Sequence, residues 1–211
     1  MQIGDIMIKQ ETVHGGELYD PTDRELMEEQ FRYLDRLYDF NHTRPSQMEE
    51  RRRFMKEQFA ECGEDCYIEP PFYANWGGKN VHFGNVVYCN FGCTFVDDTH
   101  IYVGDYTKLG PGVVLSSAGH PILPELREKS LQYNFPVRIG RCCWLGAGVI
   151  VVPGVTIGDN CVIGAGAVVT KDIPAGSVAA GVPCRVLRPI GDKDREVYFR
   201  DRKIDWNKIP R

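Results

Sequence analysis

Residues 139–169 read IGRCCWLGAGVIVVPGVTIGDNCVIGAGAVV, with a branched apolar residue at every sixth position. These residues are Ile139, Leu145, Val151, Ile157, Ile163 and Val169. The same step joins a second register of small or medium side chains, which are Val137, Cys143, Val149, Val155, Cys161 and Ala167. A period of six matches neither an amphipathic helix nor a simple hairpin meander. It is typical of a coil of short strands that turns at every sixth residue.

Glycine follows four of the branched residues, at Gly140, Gly146, Gly158 and Gly164. We expect these glycines to form corners, where a side chain at positive φ would be strained. One large apolar residue per rung should then point inward and stack on the rung above. Upstream, the six-residue step links Val103, Leu109 and Leu115, and less regularly Phe83, Cys89 and Phe95. The sequence therefore predicts a mainly β fold, a β-helix.

Residues 121–136 interrupt the repeat with prolines and charged side chains. These are Pro121, Pro124, Glu125, Arg127, Glu128 and Lys129. We predict a loop that protrudes from the coil, and loops on rigid solenoids often carry binding groups.

Residues 1–60 have a different composition, with 13 acidic and 9 basic side chains that account for the whole net charge of −4. Thr22 with Glu25, and Ser46 with Glu49, have the spacing of capping boxes, which predicts two helices with a break at residues 41–45. So short a helical pair needs a surface to cover, and we expect it to cap the repeat domain, residues 61–190. A role limited to substrate contact is the alternative. Residues 191–211 form a C-terminal extension.

The chain of 211 residues is long enough for one compact unit with an appendage. Its net charge of −4 and lack of a long basic run argue against binding to nucleic acid or to anionic membranes. It shows neither a membrane-spanning apolar stretch nor a secretion signal, so we expect a cytoplasmic protein whose eight cysteines are reduced thiols. No metal is expected, because neither Cys62/Cys66 nor Cys142/Cys143 has the paired spacing of a zinc site.

Several short motifs accompany the repeat: Gly16-Glu17-Leu18-Tyr19-Asp20, residues 40–46 (FNHTRPS), Val96-Asp97-Asp98, residues 117–121 (SAGHP), residues 153–160 (PGVTIGDN) and residues 178–186 (VAAGVPCRV). Together they resemble the hexapeptide-repeat acyltransferases, specifically the sugar O-acetyltransferases that include galactoside and maltose acetyltransferase. The resemblance covers nearly the whole chain. It implies a left-handed parallel β-helix and a homotrimer with active sites between adjacent subunits. The implied reaction transfers acetyl from acetyl-CoA to a sugar hydroxyl.

The resemblance implies a catalytic site with His120 and Asn90. In the family, the histidine that matches His120 is the general base, which takes the proton from the sugar hydroxyl as that oxygen attacks the thioester. Imidazole suits this task because it titrates near neutral pH. Gly119 and Pro121 flank His120 and should hold a tight backbone that exposes the ring.

The implied acceptor site is polar. Asn90 and Asp98 match family residues that hydrogen-bond the sugar, and Asp20 and Asn75 match more loosely. Tyr88, with Trp76, offers a stacking face for a sugar ring, and simple packing of these rings is the alternative. Residues 75–80 are one residue longer than the Asp-Tyr-Gly-x-Asn pattern of relatives, which leaves the sugar preference open.

Six residues match the positions at which relatives hold coenzyme A: Ala147, Ala165, Thr170, Lys171, Arg185 and Arg188. Small residues on adjacent coils leave a groove for the pantetheine arm. The three basic side chains can pair with phosphates. We expect Trp144 to line this groove, and core packing is the alternative.

Other functions are compatible with a β-helix. A γ-type carbonic anhydrase would bind zinc through three histidines, and His82, His100 and His120 are spaced by about one coil. Acetyl transfer to a xenobiotic or to a serine amino acid is a second alternative. A trimeric scaffold without catalysis is a third, and it would predict a damaged base or donor site.

Overall fold

Short parallel strands form the three faces of a prism in this computed structural model, which describes residues 10–210. The first sheet contains β1 (Glu61–Cys62), β4 (Val81–Phe83), β7 (Ile101–Val103), β12 (Val137–Ile139) and β15 (Thr156–Ile157). The second contains β2 (Tyr67–Ile68), β5 (Tyr88–Cys89), β8 (Lys108–Leu109), β13 (Trp144–Leu145), β16 (Val162–Ile163) and β18 (Ser177–Ala180), with β19 (Arg185–Pro189) antiparallel at its end. The third contains β3 (Tyr73–Ala74), β6 (Thr94–Val96), β9 (Val114–Ser116), β14 (Ile150–Val151) and β17 (Val168–Val169). The predicted mainly β fold, a parallel β-helix, is confirmed.

Both six-residue registers point into the prism. Ile139, Leu145, Val151, Ile157, Ile163 and Val169 are at most 3% exposed, and the residues of the second register are at most 4% exposed. In the regular coils, paired residues such as Trp144 and Val162 are 18 positions apart, so three hexapeptides make one coil. Burial of these two rows forms the apolar interior of the regular coils.

Every extra residue between positions 62 and 169 lies at one corner of the prism. Inward residues are six apart at each step, except where the chain passes from the third sheet to the first. There the separations are nine between Ala74 and Phe83, and eight between Phe95 and Val103. The third exception, from Leu115 to Ile139, contains the predicted loop. The early repeat was irregular in the sequence because its phase shifts at this corner.

The glycines after the inward residues have a different role from the predicted one. Gly146 and Gly158 do not have positive φ; a Cβ atom on Gly146 would lie 2.7 Å from the backbone nitrogen of Ala165, and one on Gly158 would lie 2.5 Å from that of Ala175. These corners require glycine because the next coil is too close for any side chain. Positive φ occurs two residues later in the coil, as at Gly148.

Residues 10–14 are helical, and two helices follow them: α1 (Arg24–Asn41) and α2 (Met48–Gln58). The predicted capping boxes are wrong. Asp23 caps α1 by accepting hydrogen bonds from the backbone of Glu25 and Leu26, while Thr22 hydrogen-bonds Asp20. Gln47 occupies the N-cap of α2, and it makes no side-chain capping bond there.

The helical pair packs on the end of the prism. Phe40, Phe54 and Phe59 join the same buried cluster as Phe72, and the Phe59 ring lies 6.2 Å from the Phe72 ring. The Asn41 side chain accepts from the backbone nitrogen of Phe72 and donates to its oxygen, both at 2.8 Å. These contacts cover the apolar interior of the first coil, which would otherwise be open to water.

The remaining elements lie outside the coil. After β9, the strands β10 (Ala118–Gly119) and β11 (Tyr133–Asn134) form an antiparallel pair around α3 (Pro124–Arg127). The chain ends with α4 (Lys193–Glu196), the antiparallel β20 (Val197–Phe199) and β21 (Arg202–Lys203), and a 3-10 turn at Trp206–Lys208. Among residues 10–210, no helix has the length and apolar character needed to cross a membrane.

The inward rows yield a stability prediction. Replacing Ile157 with Ala should lower the free energy of unfolding by about 2–5 kcal/mol, because this side chain is fully buried between coils. Thr156→Ala is the matched control on the outer face of the same strand, with an expected change within about 0.5 kcal/mol. Urea unfolding at one protein concentration measures both. Equal losses would contradict the inward assignment.

Candidate active site

The corner with the extra residues carries two of the predicted acceptor residues, Asn75 and Asp98. We call it the 3–1 edge; it comprises residues 75–80, 97–100, 117–136, 152–155 and 170–172. Asp98, only 3% exposed, lies at its centre. Its two carboxylate oxygens accept hydrogen bonds from the amides of Asn75 and Gln132, both at 2.8 Å. The structure therefore brings Asn75 and Asp98 together and adds Gln132, which sequence reasoning missed.

Tyr19 connects the N-terminal segment to this cluster. Its backbone pairs with that of Gln132 in both directions at 3.0 Å, and its hydroxyl accepts from Gln132 at 2.8 Å and Asn134 at 2.9 Å. Burial raises the pKa of Tyr19 to about 12, so the phenol stays protonated. The next residue, Asp20, is exposed at the surface. Hydrogen bonds from Thr22 lower the pKa of the Asp20 carboxyl, which is therefore ionised at neutral pH.

Asp97 is a buried carboxyl that sequence reasoning quoted but did not assign. It is fully buried, and its oxygens accept from the backbone nitrogens of Trp76 at 2.6 Å and Gly78 at 3.0 Å. Burial raises the pKa of Asp97 to about 7. These bonds fix the extended turn at residues 75–80. Trp76 is itself 7% exposed and packs with Val13. Its ring therefore serves in packing, the alternative named above, and is not open for stacking on a sugar.

His120 lies on the same edge, directly after β10. Its Nδ1 atom is 2.9 Å from the backbone oxygen of Leu131. Because a carbonyl oxygen only accepts, Nδ1 carries the proton, and the lone pair of the neutral ring is on Nε2. The ring is exposed. The neighbouring Gly119 pairs with Tyr133, and a Cβ at position 119 would lie 2.8 Å from the Tyr133 hydroxyl oxygen.

His120 and Asp98 are connected through two consecutive loop residues. Leu131 orients the imidazole through its backbone oxygen, and Gln132 holds the carboxylate through its side chain. The loop thus holds both a base with a free lone pair and a member of the polar cluster at the same edge of the prism. This arrangement can bind a polyol and accept a proton from one of its hydroxyls.

The other predicted residues lie elsewhere on the prism. Asn90, Ala147 and Ala165 occupy the corner between the second and third sheets, which we call the 2–3 edge (residues 90–93, 110–113, 146–149 and 164–167). Ala147 and Ala165 stand exposed on successive coils. Gly110 and Gly146 lie beside these alanines and have no room for a Cβ. The 2–3 edge therefore presents a strip of small residues.

The outer face of the second sheet carries Tyr88 and Trp144. Both are in register with Lys108, which lies between them. Trp144 is 57% exposed, which excludes the core-packing alternative. Tyr88 is half-buried, its ring lies 6.2 Å from that of Tyr67, and burial raises the pKa of its hydroxyl.

The predicted phosphate-binding residues are exposed at the end of the coil. Thr170 and Lys171 follow β17 at the 3–1 edge, whereas Arg185 and Arg188 lie on β19. Arg188 pairs with Asp194 of the C-terminal extension. Within one chain, the predicted residues therefore divide between the 3–1 edge, the 2–3 edge with the adjoining second sheet, and β19, and they do not form a single site.

The histidines proposed for the zinc alternative do not gather around His120. His82 Nε2 lies 2.9 Å from His100 Nδ1, and the ring that stacks on His100, at 4.7 Å, is that of His14. Across residues 10–210 there is no group of three or more histidine, cysteine or acidic side chains arranged to hold a metal ion. His82 lies on β4 of the first sheet, where Glu61 accepts from it at 3.0 Å, and His100 precedes β7 at the adjoining 3–1 edge.

Comparison with known proteins agrees with the repeat fold and with the N-terminal helical segment. Residues 136–171 match the bacterial transferase hexapeptide (six repeats), and residues 14–63 match the maltose acetyltransferase hexapeptide capping motif. The β-helix and these two segments define a hexapeptide-repeat acyltransferase.

Curated relatives identify the family within this class. The chain is 53% identical to the galactoside O-acetyltransferase of Lactococcus lactis subsp. lactis (strain IL1403), over 93% of this chain and 95% of the relative. It is 47% identical to the galactoside O-acetyltransferase of Escherichia coli (strain K12), over 92% of this chain and 96% of the relative. A solved galactoside acetyltransferase in complex with coenzyme A superimposes with a TM-score of 0.90 at 46% identity, covering 93% of this chain and 98% of that one. The chain belongs to the galactoside and maltose O-acetyltransferase family.

The buried hydrogen bonds of the 3–1 edge yield a second prediction. Gln132→Ala should cost about 1–3 kcal/mol of unfolding free energy, because Asp98 and Tyr19 would lose a donor inside the protein. Lys129→Ala, an exposed change in the same loop, is the control and should be neutral. Thermal unfolding measures both. An unchanged Gln132→Ala variant would show that the cluster does not depend on this amide.

Proposed function

We propose that this protein transfers acetyl from acetyl-CoA to a sugar hydroxyl, with His120 as the general base. The hydrogen bond from His120 Nδ1 to Leu131 carries the proposal, because it leaves the Nε2 lone pair exposed. Nε2 takes the hydroxyl proton as the sugar oxygen bonds to the thioester carbonyl carbon. When the carbon–sulfur bond breaks, the protonated imidazole returns that proton to the departing thiolate. The ester and free coenzyme A are the products.

The acceptor site that we propose contains Asp98 and Asn75 of the 3–1 edge with Asp20 of the N-terminal segment. Asn90 of the 2–3 edge and Tyr88 of the second sheet complete it. Each oxygen of Asp98 already accepts one protein hydrogen bond and has a second lone pair for a sugar hydroxyl. An ionised carboxylate is a strong acceptor for such hydroxyls. The named relatives favour a galactoside or maltose-type acceptor.

The donor site that we propose follows the groove of small residues at the 2–3 edge. Ala147 and Ala165 leave space for the pantetheine arm, and the exposed Trp144 lines the groove. Thr170 and Lys171 approach from the 3–1 edge, with Arg185 and Arg188 at the end of the coil. The solved relative at 46% identity is in complex with coenzyme A, which supports coenzyme A as the donor ligand.

A homotrimer with shared sites follows from the division of these residues between two edges. Under threefold symmetry, the 3–1 edge of one protomer can face the 2–3 edge of its neighbour. His120 of one protomer would then meet Asn90 of the next. We further propose a cytoplasmic location, because all eight cysteines lie within the described residues and are free thiols.

The general-base role predicts a large loss of activity in His120→Ala. Thiol release from acetyl-CoA should fall about 10²- to 10⁴-fold. The acceptor panel consists of galactosides, maltose, glucose and amino sugars. His42→Ala is a matched control, because His42 is also exposed and its Nδ1 also bonds a backbone oxygen, that of Tyr38. Full activity in His120→Ala, or no thiol release by the wild type with any acceptor, would defeat the proposal.

Shared sites predict complementation between two inactive variants. A mixed trimer of His120→Ala and Asn90→Ala protomers contains one interface at which both residues are intact. It should recover roughly one third of the wild-type activity per trimer. Light scattering checks the assembly, and thiol release checks the activity. If mixed trimers form but stay inactive, His120 and Asn90 do not act across an interface.

A further inference from the structure

Arg188 is held in a defined orientation by the C-terminal extension. Its Nη1 atom donates to Asp194 Oδ2 at 2.7 Å, and its Nη2 atom donates to Asp194 Oδ1 at 2.8 Å. Nη1 also donates to the backbone oxygen of Pro189 at 3.0 Å. Asp194 is anchored in turn, because its Oδ2 accepts from the backbone nitrogen of Gly191 at 2.9 Å. The guanidinium plane is therefore fixed on two sides.

This pairing leaves one hydrogen-bonding edge of the guanidinium available. The group has five N–H donors and two edges that can each bind an anion in bidentate fashion. Asp194 takes the edge formed by Nη1 and Nη2, and Pro189 takes the other hydrogen of Nη1. Among residues 10–210, the donors on the Nε–Nη2 edge of Arg188 have no partner. The Arg188 side chain is 51% exposed, so this edge is accessible to a ligand.

A cleft of about 570 Å³ opens beside Arg188. Basic side chains line it at Lys193 and Arg200, and so do the exposed rings of Tyr198 and Phe199. Asp192 and Asp194 also border it, and the charge of Asp194 is neutralised by Arg188. Basic groups next to aromatic rings suit a ligand with both phosphates and a base, as the nucleotide end of coenzyme A has.

We propose that Asp194 is a positioning residue, which orients Arg188 so that its Nε–Nη2 edge binds a phosphate of coenzyme A at this cleft. The proposal rests on the coenzyme A-dependent function proposed above. It also gives the C-terminal extension a role in binding the donor. Because the carboxylate fixes the guanidinium before the ligand arrives, binding loses less side-chain entropy.

The opposite role of Asp194 makes a different prediction. A carboxylate that merely competes with phosphate for Arg188 would weaken coenzyme A binding, so its removal would tighten binding. A positioning carboxylate strengthens binding, so its removal weakens it. The direction of the change therefore separates the two roles.

The test is a double-mutant cycle read by calorimetric titration with coenzyme A, which needs no sugar acceptor. Asp194→Asn should raise the Kd about two- to tenfold. In the Arg188→Ala background the same change should have no further effect. Asp201→Asn removes another exposed carboxylate of the extension and gives the effect of charge alone. Tighter binding in Asp194→Asn, an equal effect without Arg188, or an equal effect of Asp201→Asn would overturn the proposal.

Kinetics and a shortened ligand complete the test. Asp194→Asn should raise KM for acetyl-CoA and leave kcat within about twofold, because the acetyl group reacts away from this cleft. If the contact is to the 3′-phosphate, Asp194→Asn should not change binding of dephospho-CoA. If Asp194→Asn also weakens the binding of dephospho-CoA, the contact is to the diphosphate, and the positioning role stands. A wild type that binds no coenzyme A defeats the proposed function, whereas wild-type binding that is unaffected by Asp194→Asn defeats only this inference.

Discussion

Close contact between the backbones of successive coils is the constraint on which the rest of the structure depends. At Gly146 there is no space for a Cβ, because the backbone nitrogen of Ala165 on the next coil would be 2.7 Å away. In the regular coils, parallel strand pairing places residues 18 positions apart side by side, so each coil fixes the position of the next. A residue at a given corner therefore lies directly above its counterpart one coil earlier. The strip of alanines at the 2–3 edge is one result of this alignment.

The same constraint confines variation to one corner. All the extra residues between positions 62 and 169 occur at the 3–1 edge, while the other two corners keep the strict six-residue step. The regular corners hold the coils in register, and the irregular corner is free to carry polar side chains. Asn75, Asp98 and His120 all lie there. Because the proposed donor groove is at another corner, each protomer holds only part of the proposed chemistry.

The fold was largely predictable, because few folds besides a β-helix produce a six-residue apolar period. Ile139 and its successors reveal the inward rows directly. The glycines after four of them were correctly placed at corners, yet the reason given for glycine was wrong, since spacing in a sequence does not show how near the next coil lies. The predicted helix cap also differed, because the Thr22 hydroxyl hydrogen-bonds Asp20, and Asp23 caps α1 instead.

In the candidate site, the resemblance of the motifs predicted Asp98 and Asn75 as site residues. Gln132 was identified only in the structure of the folded loop. The shift in phase between Phe95 and Val103 was a usable signal for the 3–1 edge.

The acceptor that orients His120 is a backbone oxygen, and this has an evolutionary consequence. A point substitution at Leu131 changes its side chain but leaves the backbone carbonyl in place. The hydrogen bond that selects the tautomer of His120 is therefore kept in such variants. A carboxylate in the same role could be lost by a single change. The vulnerable feature is instead the path of the loop, which insertions and deletions would alter. Relatives should therefore tolerate diverse residues at this position while conserving the length of the segment between His120 and Leu131.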